Sequence, residues 1–234
     1  MGYISREELD ELGDGIAKNY LKSAGLQLPV RCIDIEGMAG FMGLTVVYRT
    51  FAEDDLDKIG FLSDGRTALK IRERGNAIPV IFPPGTIVLD QALHKDTESG
   101  RCRFTIAHEI AHFVLERHVP AARFHREFDS EREYSDDELR RQFNIAEAQA
   151  DRLAAALLMP RFIVDQALRD FNQGNKIIAY GDNVIASAEK TIIQKMADQA
   201  GVSFTAMRIR LREFRLYDYH PLSEYVENIL GGRT

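Results

Sequence analysis

The rhythm of polar and apolar positions changes several times along the 234 residues. Near the start, Ser5 and Glu8 form a capping-box pattern ahead of helical spacing, which predicts a helix through Ala24 that stops near Gly25. A shorter helix is predicted over 33–41. From Leu44 to Leu89 the texture becomes short β-rich runs, LTVVYRTF, GFLS, TALKIR, IPVIF and TIVLD, separated by the turn signals SDGR, ERGNA and PPG. These predict a small, mostly antiparallel sheet. Helical texture returns after the N-cap residues of 97–99 and carries CRFTIAHEIAHFVLERH until Pro120 closes it. Further on, Asn144 and Glu147 repeat the capping-box pattern and open IAEAQADRLAAALLM, a helix apolar enough to be buried, which Pro160 ends. A helix over 161–171, a connection containing glycine and asparagine, and a helix pair around Gly201 with a tail complete an α+β chain.

Composition narrows the class. The length and the 45% hydrophobic content suffice for one medium domain, or for one domain with a small appendage. The first twenty residues are charged throughout and no later apolar run approaches a membrane span, so the sequence leads us to expect neither export nor membrane insertion. Cys32 and Cys102 stand seventy residues apart, in no metal-binding or disulfide pattern, which fits a reducing cytoplasm. Charge is concentrated: Glu127 to Glu138 holds seven acids against Arg132, enough to account for the whole formal charge of -6. That segment reads either as a solvated loop or lid, or as a docking surface for something basic.

The chemistry centres on HEIAHFVLERH, from His108 to His118. On an ideal helix, four residues separate two side chains by about 40° and one turn, so the imidazoles of His108 and His112 converge on one ion. Glu109 falls beside that stripe, where its carboxylate reaches the attacking water without occupying a coordination position. Two neutral imidazoles at about 2.0–2.1 Å and an open position for water are what a catalytic Zn2+ requires. A buried helix with two satisfied histidines is the simpler alternative. His118 sits at the spacing of a third zinc histidine, but Leu115 stands where a chain-reversing glycine is needed. Continuing the helix puts His118 about 12 Å further along the axis, out of reach.

A third ligand must therefore come from elsewhere. Downstream carboxylates include Glu127, Glu131, Glu133, Asp136, Asp137, Glu138, Glu147 and Asp151. A ligand needs a rigid, buried carrier, which favours Glu147 on the alanine-rich helix. Asp151, four residues later on the same face, is placed to accept the second N–H of a ligand histidine. Ala150, Ala154 and Ala155 let the two helices approach closely. Glu147 as no more than the cap of its own helix is the other reading.

RFTIAHEIAHFVLERH followed by EAQADRLAAALLMP resembles the ImmA/IrrE family of metallopeptidases, whose pattern pairs HExxH with a downstream ExxA(N/D)xxAxxLLMP helix. The similarity takes in most of the chain, including LPV after the first helix, IVLD before the motif helix and a VSxxA...RL segment after LLMP. It implies a zincin-like metallopeptidase core over residues 1–172 and a C-terminal helical element and tail over 173–234. Carried over residue by residue, His108 and His112 match the zinc histidines, Glu109 the catalytic glutamate and Glu147 the third ligand. The best understood members cleave a helix-turn-helix repressor and relieve transcriptional repression under stress; members are bacterial or carried by mobile elements. The stretch between the two motif helices is long for the family, which bears on the lid and the access route rather than on the ligands.

The segment TIIQKMADQAGVSFTAMRIRLREFRL resembles a helix-turn-helix unit, with Gly201 at the turn and Ser203 as N-cap. Arg208, Arg210, Arg212 and Arg215 crowd its second helix, and with Lys190 and Lys195 give a local excess of positive charge. Direct DNA binding by a regulator with a non-catalytic metal site, and an interaction module that never cuts, are the competing classes. The apolar positions Ile193, Met196, Ala200, Val202, Phe204, Met207 and Leu211 instead favour a packing element that rests on the core or presents a repressor substrate. Oligomeric state is not legible. Tyr48, His94, His118, His125 and Tyr134 are all candidates to stabilise a developing oxyanion, and spacing does not choose among them.

Overall fold

The computed structural model describes residues 4–53, 58–94, 100–116, 123–126, 145–181 and 183–231, without side-chain detail for 94, 123–126, 145 and 228–231. The first helix, α1 (Arg6–Ser23), carries the expected capping box: Ser5 Oγ accepts from the Glu8 amide, and Glu8 Oε2 accepts from the Ser5 amide at 2.8 Å. Gly25, at φ 68°, follows its C-cap. In α2 (Ile35–Phe41) the cap is Asp34, which accepts from the Gly37 amide.

The five predicted strands form, but not one sheet. A four-stranded sheet has the order β1 (Thr45–Arg49), β5 (Thr86–Asp90), β2 (Lys58–Leu62), β6 (Arg123–Arg126). Its two pairings through β2 are antiparallel, while β1 and β5 run parallel. The remaining runs, β3 (Ala68–Glu73) and β4 (Asn76–Ile81), make a separate antiparallel hairpin. Its two-residue turn has Arg74 at φ 50° and Gly75 at φ 86°, the geometry that matches strand twist. The hairpin and sheet enclose a small satellite core of Phe61, Leu69, Ile71, Phe82 and Val88.

Behind the four-stranded sheet lie a short α3 (Gln91–His94), then α4 (Gly100–Leu115) and α5 (Ile145–Leu158). The helix expected to run as far as His118 ends at Leu115, and residues 117–120 lie outside the described ones. So do the N-cap positions 97–99, Asn144 and the acidic stretch 127–138. Helix α5 is buried on most of its circumference: Leu153, Ala154, Ala156, Leu157 and Leu158 are fully inaccessible. A Cβ at Gly13 of α1 would lie 2.6 Å from Ala156 Cβ, so α1 touches α5 backbone to backbone. Small residues at that crossing let α5 sit between α4 and α1.

The chain continues through α6 (Arg161–Asn172), β7 (Ile177–Tyr180), α7 (Ser187–Ala200), α8 (Phe204–Glu213), β8 (Tyr217–His220) and α9 (Leu222–Gly231). The expected helix pair is α7 and α8, with Gly201 at φ 65° and Ser203 Oγ accepting from the Ala206 amide. Strands β7 and β8 pair in parallel on either side of it, in stretches where the sequence suggested only connection and tail. The turn does not hang free: a Cβ on Gly100, the first residue of α4, would stand 2.8 Å from the Ser203 nitrogen. Arg103 Nε donates to Gly201 O and its Nη2 to Ile33 O. One hydrophobic core runs continuously from Leu9 through α4 and α5 to Met207 and Leu211. Neither Cys32 nor Cys102 is in a disulfide. Among the described residues, no helix is long and apolar enough to cross a membrane.

Candidate metal centre

Helix α4 carries His108, Glu109 and His112, and packs along α5, which carries Glu147 and Asp151. Because i and i+4 share a face, each helix presents two polar groups to the other at its narrowest crossing. The Nε2 atoms of His108 and His112 are 2.9 Å apart, and Glu147 Oε2 lies 3.4 Å from the first and 3.3 Å from the second. The three residues form the one His/Cys/Asp/Glu grouping able to hold a metal among the described residues. Three tetrahedral ligand atoms around a zinc-sized ion stand about 3.3 Å from one another. The observed triangle has nearly those edges, so the donor set and its spacing fit such an ion.

Two further carboxylates complete the surroundings. Asp151 Oδ1 is 2.8 Å from His108 Nδ1, the carboxylate–histidine pairing that fixes a ligand imidazole's tautomer and ring orientation. Glu109 is fully buried. Both histidines are 3% exposed, whereas the side chains of Glu147 and Asp151 are about a third exposed, so the cluster opens to solvent on the α5 side. Burial alone would push the His108 imidazolium down. The hydrogen bonds it donates to Asp151 and Glu147, and the charges of Asp151 and Glu109, outweigh burial and push the pKa up to about 10. Hydrogen bonds with His108 and then His112 hold Glu147 below the usual carboxylate range despite its partial burial. The cluster therefore attracts positive charge strongly. A proton on His108 supplies some of it, and a divalent cation supplies more.

All five residues singled out from the sequence, His108, Glu109, His112, Glu147 and Asp151, come together here. The oxyanion candidates fare differently. The Tyr48 hydroxyl donates to Glu36 Oε1 at 2.6 Å and lies 3.6 Å from Cys102 Sγ; burial and these contacts push its pKa well up. His118 and Tyr134, and the side chains of His94 and His125, fall outside what is described. Two neighbours escaped sequence reasoning. Glu116 Oε1 lies 4.0 Å from His112 Nδ1, one helical turn on, a spacing the i, i+4 rule could have flagged. The Phe104 ring stands 6.2 Å from the His108 ring, one turn earlier.

The arginines of α8 divide. Arg210 is buried, with its Nη1 at 2.6 Å from Asp10 Oδ1 and 3.2 Å from Glu213 Oε2, its Nε donating to Met159 O and its guanidinium 4.1 Å over the Phe214 ring. Arg152 of α5 joins the same network, pairing with Glu213 and, at 3.1 Å, with Asp10. Its basic charge is thus spent inside the protein, and α8 offers one cation fewer to a partner than its sequence suggests.

Residues 42–212 match the sequence model of the IrrE N-terminal-like domain, a peptidase family. No curated protein matches the chain. The match spans well over half of the molecule and takes in every residue of the cluster, and the chain belongs to that family.

Proposed function

From that membership as premise, we propose that the protein is a zinc-dependent endopeptidase that cuts a helix-turn-helix transcriptional repressor and so relieves repression. The observation that carries the reading is the triangle of His108, His112 and Glu147, backed by Asp151 and flanked by Glu109. Two imidazole nitrogens and one carboxylate oxygen leave a coordination position open, the hallmark of catalytic rather than structural zinc. When bound, zinc supplies Lewis acidity: it polarises a carbonyl and makes water acidic near neutral pH.

The remaining steps belong to the chain. Glu109, one residue from His108 and off the ligand stripe, takes the proton of the water that attacks the scissile carbonyl carbon. It then delivers that proton to the amide nitrogen, which leaves as an amine when the C–N bond breaks. Asp151 holds the His108 ring by accepting from Nδ1. The repressor as substrate is what the family resemblance implies, and a cytoplasmic setting agrees with two cysteines outside any disulfide.

The competing reading, a DNA-binding regulator with a non-catalytic metal site, draws on α7, α8 and their arginines. It is weakened by the inward turn of Arg210 and by the packing of Gly201 and Ser203 on α4. Glu109→Gln separates the two. In the peptidase reading, the variant keeps one zinc per chain while cleavage of a helix-turn-helix repressor substrate falls by about 10^2- to 10^4-fold. Undiminished cleavage removes Glu109 as the base; stoichiometric zinc with no cleavage by the wild-type chain favours a regulator that does not cut.

A further inference from the structure

The outward face of α8 carries charge that the fold does not use. Arg208 and Arg212 stand one helical turn apart on it, and Arg215 follows where the helix ends. Among the described residues none of the three meets a carboxylate, and Arg212 donates only to a neutral acceptor, Asn183 Oδ1, at 3.2 Å. Their neighbour Arg210 is instead neutralised inside the protein by Asp10 and Glu213. Like charges at i, i+4 repel, so two cations left together here suit an anion that comes from outside.

Aromatic and apolar groups are interleaved with these cations. Arg208, Arg212, Asn183, Tyr217 and Tyr219 line one shallow depression between α8 and β8. Tyr219 is 55% exposed, its ring 5.9 Å from that of Tyr217, and Ile209, 50% exposed, follows Arg208 on the helix. Ile209 also lines a half-open cavity that Asp151 borders, so the cationic face adjoins the surroundings of the metal cluster. A polypeptide that reaches the metal can extend onto the arginines.

Charge and shape choose between two anionic partners. In a DNA-binding helix-turn-helix the first turn of the second helix enters the major groove, but here that turn packs on Gly100 of α4. A duplex also spreads its phosphates far beyond three cations, across a chain whose net charge is -6. A short peptide with a few carboxylates meets the arginines without that repulsion, and its apolar side chains cover Tyr219 and Ile209.

We propose that this face of α8 and β8 is a docking surface for a segment of the polypeptide substrate in which carboxylates alternate with apolar side chains, held away from the scissile bond. The inference rests on the peptidase reading. Its probe is a fluorescein-labelled peptide that alternates glutamate with leucine or phenylalanine, titrated by anisotropy against the zinc-loaded full chain. Binding is expected to weaken roughly tenfold or more in Arg208→Glu/Arg212→Glu, and again as salt rises from about 0.05 to 0.5 M, while Arg208→Lys/Arg212→Lys retains most of it. Arg212→Glu/Arg215→Glu, at two exposed positions, gives the same result should the first variant misfold. No binding, or binding that charge reversal leaves intact, overturns the docking surface. So does duplex DNA that binds more tightly and is lost in the same variant, or a dimer in sedimentation that the reversal splits. Digestion of a whole proteome, with cuts read by mass spectrometry, separates the docking surface from the peptidase reading. Cuts near acidic–apolar segments are expected to fall about tenfold in the variant while the others persist. Glu109-dependent cuts that are all indifferent to the variant overturn the surface's part in proteolysis alone; peptide binding without any Glu109-dependent cut overturns the peptidase reading.

Discussion

Helix α5 carries two buried polar clusters little more than one turn apart, and they are built on opposite principles. Around Arg152 and Arg210, two cations meet two anions, Asp10 and Glu213, and charge cancels within the protein. Around His108 and His112, three carboxylates, Glu109, Glu147 and Asp151, meet two imidazole rings. The first cluster is closed; its work is to tie α1 and α8 to α5. The second holds more carboxylates than cations, and its three ligand groups suit a cation from outside. Burial costs both kinds of group solvation, so the difference lies in where the compensating charge originates.

Breaking the closed cluster should have the largest effect. Arg210→Ala leaves Arg152 alone against the two carboxylates of Asp10 and Glu213 and removes the bond to Met159 O, and is expected to destabilise the fold by about 1.5–3 kcal/mol in chemical denaturation. The same truncation at Glu147 is expected to remove zinc yet leave the metal-free fold little changed, which reverses the outcome between the two clusters. A smaller effect is expected from Asp151→Ala, which frees the His108 ring: zinc affinity falls roughly 10- to 100-fold in competition with a chromophoric chelator. Acid sharpens the contrast further. Metal-free His108 holds a proton below about 10, and zinc must displace it. Apparent zinc affinity should therefore rise about tenfold per unit between roughly pH 7 and 9, while a calorimeter records proton release on binding. The smallest effect concerns His220, exposed at the end of β8 and bonded to Glu224 and Asp218, which raise its pKa above the ordinary 6.5. A raised histidine pKa stabilises below the unfolded value and is lost as pH climbs through the folded one. The NMR titration midpoint of His220 should lie above 6.5, and His220→Asn should erase a slight decline in melting temperature across that window.

Much of the candidate site was legible because its logic is local. His108 and His112, and Glu147 and Asp151, are i, i+4 pairs, so each half announces itself on its own helix; only the pairing of the halves needed the fold. Caps were legible for the same reason, as at Ser5 and Ser203. What escaped depends on distant partners. Consecutive β-runs read as one small, mostly antiparallel sheet, but β5 inserts between β1 and β2, and its pairing with β1 is parallel. Strands β7 and β8 are four residues each and exist only by pairing across the helix pair between them. Arg210 looked like one of four surface cations because nothing near it reveals Asp10, 200 positions earlier.

That separation sets the order in which the molecule can become competent. Asp10 emerges from the ribosome first, and Arg210 only 200 positions later. Helix α5, with Glu147 and Asp151 already synthesised, waits through the intervening residues for the contacts that seat its far end. Closing so long a loop is slow and comes late in folding. A nascent chain that stops short of Arg210 thus holds His108, His112 and Glu147 without the ion network that ties α1 and α8 to α5.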